Sequence, residues 1–407
     1  MKICCTIIAL FPVICLAGTL TPVWVEVGPK GQAVARVVVS STQDCPAIAI
    51  DDGTPVPMKP RLPVPKGFQP VCEFLIPAAA KSAAAGSQQL ALPVPDPSRI
   101  VVIGDTGCRL KGERLQACND PEAWPFARIS EAAANTQPQL VVHVGDYVYR
   151  ETPCPATERA ACGGSPSGNS WATWNADFFT PAKKLLEASP WAFSRGNHET
   201  CARAGDGWFY YLDPRPMPTA CNMYSDPYLI TLGSFQLLML DSSQANDAEV
   251  EAKQLALYTA ELRPYAKTST WLALHHPLFA LKRDKEEGGD KPTTDVVRQA
   301  FELAGMQGVS LILAGHTHLF EVLSFSGDRP PQIVAGDAGT SLATKIEKDL
   351  SGQTVFGNTV RAGASRKEFG FTLLENRKGR WDLRLKDLAG QSLVSCTIRD
   401  KLVDCGK

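Results

Sequence analysis

The chain has 407 residues and a net charge of −1, with Lys+Arg 41 against Asp+Glu 42. That length holds a large catalytic domain and a smaller appendage. The balanced charge argues against a protein that binds nucleic acid or a membrane surface by electrostatics.

The chain opens on MKICCTIIALFPVICLAG, a positive start, an apolar run and small residues at Ala17 and Gly18. The run is shorter than the roughly 20 residues a spanning helix needs, so residues 1–18 are expected to be a secretory signal peptide. An uncleaved anchor is the alternative. With the signal removed, the mature chain is expected to have no transmembrane segment and to lie in a periplasmic or secreted setting. Cys4, Cys5 and Cys15 would leave with the signal. Ten cysteines remain: Cys45, Cys72, Cys108, Cys118, Cys154, Cys162, Cys201, Cys221, Cys396 and Cys405. An even count in an exported chain points to disulfides, with neighbour pairing preferred, and no CxxC pair suggests a thiolate metal site. No asparagine opens an N-x-Ser/Thr acceptor, which leans toward a bacterial setting.

Residues 19–95 read as a small all-β domain, with VWVEV and VARVVV followed by Pro/Gly punctuation and a boundary near Pro95–Ser98. Beyond it strands alternate with helices, the α/β pattern. Strands are expected at Ile100–Ile103, Leu140–Val144, Ala192–Ser194, Phe235–Leu240, Trp271–Leu274 and Ser310–Ala314. Helices are expected at Pro121–Ala134 behind an Asp120 cap, Trp171–Leu186, Ala248–Leu262 and Thr293–Ala304 before Gly305. Two long loops, Glu151–Ser170 and Lys282–Lys291, are candidate rims of a site. The tail from FGFTLLE onward alternates at period two and is expected to close one sheet edge with antiparallel strands.

Several strands end in a polar cluster: IGDTG with Asp105, VGDYVY with Asp146 and Tyr149, RGNHE with Asn197 and His198, LALHHP with His275, and AGHTH with His316 and His318. The carboxyl ends of parallel strands are where open α/β sheets place ligands. Each cluster alone is weak, but five of the six histidines in the chain fall at these ends. Together they point to a metal site. His143, inside the strand before Asp146, reads instead as a core histidine.

The order G-D-x-G, G-D-x-x-Y, G-N-H-E, H-x-P and G-H-x-H resembles the calcineurin-like metallophosphoesterases, and in particular their purple acid phosphatase branch. The resemblance covers about Ile100–Phe320. It implies an αββα sandwich metallophosphoesterase domain over 96–407, carrying two metals about 3.5–4 Å apart. By the same resemblance Asp105, Asp146, Tyr149 and His318 would hold one metal, and the other would share Asp146 and add Asn197, His275 and His316. The broader family commonly has histidine where this chain has Gly107, and Tyr149 would supply the replacement ligand. A phenolate is a hard oxygen donor suited to ferric iron, so Fe(III) with Fe(II), Zn(II) or Mn(II) is the expected pair. Three ionised side chains and a hydroxide would leave such a pair about +1, attractive to phosphate.

The implied activity is phosphomonoester hydrolysis by a metal-activated hydroxide, with a small phosphate ester as the partner molecule. His198 would face the substrate as the catalytic side chain, or else make an outer hydrogen bond. Glu199 would orient that histidine or cap a helix. Arg109, Arg195 and His276 are candidate substrate contacts. Two alternatives stay open: a phosphodiesterase of the same fold with two divalent metals, and a catalytically inactive binding protein.

Overall fold

The computed structural model describes residues 18–112, 114–246, 249–279, 295–347 and 350–405. The expected signal peptide, apart from Gly18, and the expected loop Lys282–Lys291 lie outside the described residues.

Two large sheets pack face to face. Among the described residues the first has eleven strands, and at its centre Arg99–Ile103, Leu140–His143, Trp191–Phe193 and Trp24–Val27 run parallel. The second has eight, and in it Phe235–Met239, Thr270–Ala273, Val309–Ala314 and Gln332–Ala335 run parallel. Successive side chains on a strand point to opposite faces. Thus Val101, Ile103 and Val141 meet an outer layer containing the helices Phe126–Ala134 and Thr180–Ala188. Ile100, Val102, Leu140 and Val142 meet Leu237, Met239, Leu311 and Leu313 of the facing sheet. Helices Ala252–Leu262 and Asp295–Ala304 cover the far side of the second sheet, completing an αββα sandwich. Burial on both faces is why the central strands read as unbroken apolar runs.

The N-terminal segment contains the expected strands, and no break in the first sheet falls at residue 95. Glu26 pairs with Trp191, which makes Trp24–Val27 the last of the parallel strands, and Ala33–Val38, Val71–Ile76 and Lys59–Pro60 extend the sheet beyond it. A separate small sheet of four strands, including Ala47–Ile50 and Ala83–Ala85, packs nearby. The junction holds a buried charge network. Arg36 pairs with Glu26 at 2.9 Å and Glu73 at 3.2 Å, and donates to the carbonyls of Tyr211 and Asp213. Arg61 pairs with the same Glu73 and donates to the carbonyls of Phe209 and Arg215. Removing one partner of such a buried pair typically costs ~3–5 kcal/mol, because the other charge stays buried.

The tail forms four antiparallel strands, Phe371–Arg377 through Leu402–Cys405, at the other edge. Among the described residues five disulfides join neighbouring cysteines: Cys45–Cys72, Cys108–Cys118, Cys154–Cys162, Cys201–Cys221 and Cys396–Cys405. Two helices depart from expectation. Asp120 caps a turn through the Glu122 N–H, and the helix begins only at Phe126. The expected helix Trp171–Leu186 contains a π-turn at Asn175–Phe179, just ahead of Pro181, which has no N–H to donate. That wider turn carries the buried Asp177, which matters below.

Candidate metal centre

Asp105, Asp146, Asn197, His275 and His316 follow the carboxyl ends of five parallel strands drawn from both sheets. Asp105, Asp146 and His316 adopt left-handed backbone angles, with φ of 57°, 60° and 71°. Such conformations cost of order 1–3 kcal/mol in non-glycine residues and cluster at functional sites. The glycines beside them leave needed space: a Cβ on Gly196 would sit 2.1 Å from Asp146 Oδ1, and one on Gly145 2.6 Å from His275 Nδ1.

The side chains converge. Tyr149 Oη lies 2.8 Å from Asp105 Oδ1, 2.8 Å from Asp146 Oδ2 and 2.9 Å from His318 Nε2. On the other side of Asp146, His275 Nε2 is 3.2 Å from its Oδ2 and 3.0 Å from Asn197 Oδ1, which is 3.1 Å from His316 Nδ1. Ligand atoms of Asp146, His275 and His316 all fall within 4.8 Å of one another.

This arrangement asks for positive charge. His275 Nδ1 lies 2.8 Å from the Val144 carbonyl and can only donate there. In the neutral ring Nε2 would then aim a lone pair at two oxygens. Burial works against a charged His275, yet the Asp146 carboxylate outweighs it and raises the imidazole to about 9. Burial alone would raise Asp146, but His275 and His198 hold it well below the usual carboxylate range. Burial, then Asp105 and Asp146, push the Tyr149 phenol well above its ordinary value. One phenol hydrogen cannot serve two carboxylates and an imidazole at once. A cation bridging these donors resolves the conflict, so the donor set fits metal ions.

His198 stacks on Tyr149, with ring centroids 3.8 Å apart, and its Nδ1 lies 3.0 Å from the Val148 carbonyl. Burial pushes it well below its ordinary value; Asp146 opposes this and Arg203, Arg109 and Lys111 reinforce it. The Arg109 guanidinium sits 5.6 Å from the Tyr149 ring centre, and the His276 ring lies 4.3 Å from that of His316. Arg195 is used elsewhere. It is buried, donates to the Glu199 and Asn222 carbonyls, pairs with Asp241 at 3.1 Å and faces Cys201 and Cys221. Its donors are committed to protein acceptors, which corrects the expectation of a phosphate contact. His143 is a core residue, stacked on Tyr147 and bonded to Thr106.

Two acidic residues hold the site and a third is buried beside it, and the motifs alone do not show how. Glu199 accepts the N–H groups of Asp146, Tyr147, Val148 and Gly196, so it shapes the bridging loop, and no hydrogen bond to the His198 ring is found. Asp177 accepts from the Cys108, Tyr149 and Arg150 N–H groups and pairs with the Arg150 side chain. Asp337, in the turn after Gln332–Ala335, is fully buried with no partner outside its own backbone among the described residues. Burial is the main reason its carboxyl rises from 3.8 to about 8, with Asp105 and Glu368 adding to it. Folding therefore takes up a proton across that interval. The stability tied to Asp337 is greatest below the unfolded value and falls as pH rises toward the folded one, by up to roughly 1.4 kcal/mol per unit. In metal-stripped protein, Asp337→Asn should flatten this slope in urea denaturation and exceed wild type in stability at alkaline pH. An unchanged slope would count against it.

An αββα sandwich with carboxylates, a phenol and imidazoles gathered at its strand ends is the architecture of a metal-dependent phosphoesterase hydrolase. The sequence matches the calcineurin-like phosphoesterase profile over residues 98–320, more than half of its length, and the chain belongs to that family. Among solved structures it is similar to purple acid phosphatase PPD1 from yellow lupin (Lupinus luteus) seeds, with a TM-score of 0.59 and 13% identity over 93% of this chain and 74% of that one. It is also similar to PhoD, with a TM-score of 0.56 and 12% identity over 99% of this chain and 94% of that one. At these identities the likeness is one of fold. No curated protein sequence matches the chain. No helix among the described residues is long and apolar enough to cross a membrane.

Proposed function

We propose that this protein is an exported acid phosphatase that hydrolyses phosphomonoesters at a two-metal centre of ferric iron with Fe(II), Zn(II) or Mn(II). The observation that carries the reading is the Tyr149 hydroxyl held between Asp105 and Asp146 at 2.8 Å from each. Asp105, Asp146, Tyr149 and His318 would hold the ferric ion; Asp146, Asn197, His275 and His316 would hold the divalent one. The five disulfides and the apolar leader support an oxidising destination.

When bound, the two metals supply Lewis acidity and make a water acidic enough to act as a nucleophile near neutral pH. The chain's own residues orient the ester and handle the leaving proton. Water oxygen forms a bond to phosphorus as the bond to the ester oxygen breaks, and that oxygen keeps the electron pair. His198 would act in its imidazolium form, which acidic pH populates against the pull of burial, with Nδ1–H held by protein acceptors and the Nε2 proton passing to the ester oxygen, a contribution of ~10²–10⁴-fold for a positioned general acid; a proton of the attacking water restores the ring. The net change is phosphomonoester plus water to alcohol plus inorganic phosphate. Arg109 and His276, close to Tyr149 and His316, are the nearest candidates to touch the substrate.

The test is metal content together with rates on 4-nitrophenyl phosphate and bis(4-nitrophenyl) phosphate at acidic pH, using protein matured in an oxidising compartment. Iron and a preference for the monoester are expected. Two divalent metals with a diester preference would replace the reading with a phosphodiesterase. A metal-free protein inert toward both would make it a binding protein.

A further inference from the structure

Glu151 lies two residues beyond Tyr149, outside every motif, and its carboxylate turns back toward the site. Its Oε1 is 3.1 Å from His198 Nδ1, and the same oxygen is gripped by Arg203 Nη2. Lys111 Nζ approaches the other oxygen at 3.6 Å, and Arg203 also donates to the Asn197 carbonyl at 3.1 Å. Three of these side chains therefore close a loop: Arg203 ties Glu151 to the backbone just before His198, and Glu151 returns to the ring of His198.

His198 Nδ1 thus faces two acceptors, the Val148 carbonyl at 3.0 Å and Glu151 at 3.1 Å. Neither can donate to it, so Nδ1 keeps its hydrogen in both protonation states of the ring, and Nε2, 3.8 Å from Asp146 Oδ2, is the nitrogen that gains and gives up the acid proton. The hydrogen bond of Nδ1 goes to the Val148 carbonyl, and the Glu151 carboxylate beside it, within ion-pair distance, is a second acceptor that restricts ring rotation. Tyr149 closes one face of the ring.

We infer that Glu151 is a positioning residue for His198: it locks the tautomer and ring angle that present Nε2 to the leaving oxygen of the ester, and Arg203 holds Glu151 in place. The inference rests on the phosphatase reading. The step it serves is the one already balanced above, in which the ester oxygen keeps the bonding pair and takes the proton from Nε2. It follows that Glu151 matters most when the leaving group is a poor one. An alkoxide needs that proton as it departs, whereas 4-nitrophenolate is stable without it.

The experiment measures kcat and KM of the metal-loaded protein on an alkyl phosphate and on 4-nitrophenyl phosphate, for wild type, Glu151→Gln, His198→Ala and the double variant. Glu151→Gln should lower kcat on the alkyl ester by about 10–100-fold, the usual cost of losing a partner that orients a site histidine. It should change kcat on 4-nitrophenyl phosphate, and KM on either ester, by far less. In the His198→Ala background the same substitution should have no further effect. Equal losses on both esters, or the full loss persisting without His198, would overturn the proposal. If Glu151→Gln does not fold, Arg203→Met, which removes the grip on Glu151, must show the same leaving-group selectivity, and its absence would be equally decisive. Failure of the phosphatase reading is distinguishable, because wild type would then turn over neither ester.

Discussion

Asp146→Asn is expected to lower phosphate-ester hydrolysis by at least ~10³-fold, beyond the ~10–100-fold typical for loss of an outer partner. The substitution keeps the shape of the side chain and removes its charge. Asp146 Oδ1 accepts the His198 N–H at 2.8 Å, a bond the asparagine carbonyl can retain, so the loop has no reason to unfold. What disappears is the one carboxylate placed between Tyr149 on one side and His275 on the other. Both proposed metal positions share it, and His275 loses the neighbour that raises it to about 9. Elemental analysis should find the loss of at least one metal, with the thermal midpoint of stripped protein little changed. An Asn variant that keeps both metals and its rate would exclude Asp146 as the bridge.

Tyr149→Phe should abolish any visible absorption of the metal-loaded protein while leaving it folded. In the metal-free site the phenol is held protonated by burial and by Asp105 and Asp146. A strongly polarising cation is needed to ionise it, and a ferric ion with a phenolate ligand absorbs visible light. Phenylalanine preserves the ring stacked on His198 and the segment anchored by Asp177, so only the oxygen is lost. The checks are the absorption spectrum and iron content of both proteins, prepared alike. A colourless wild type with two divalent metals would sink the ferric assignment, keep the phosphoesterase fold and move the diester reading to first place. A band surviving in the variant would place the chromophore elsewhere.

Much of the fold and most of the candidate site follow from local pattern. The central strands are apolar on both faces, and each ends in a short polar cluster contiguous in sequence. Asp105, Asp146, Tyr149, Asn197, His275, His316 and His318 could be named from those clusters, and the structure brings all seven together. The disulfides were legible for the same reason, since every pair closes a short loop with its neighbour.

Other features depend on which distant residues meet, and a period or a motif carries no such information. The alternation in WVEV announces a strand, but its edge could have paired anywhere; the register Glu26 to Trp191 puts it in the same sheet as the site strands. Arg195 stands beside a motif, and Asp241, from another strand end, together with the Glu199 and Asn222 carbonyls engages its guanidinium. Glu199 sits inside a motif, yet its four N–H partners come largely from the loop 146–148. Asp177 and Glu151 carry no local signature at all. They matter because a buried N–H, a guanidinium or an imidazole elsewhere in the chain needs a carboxylate, and only the packed tertiary structure decides which carboxylate is within reach.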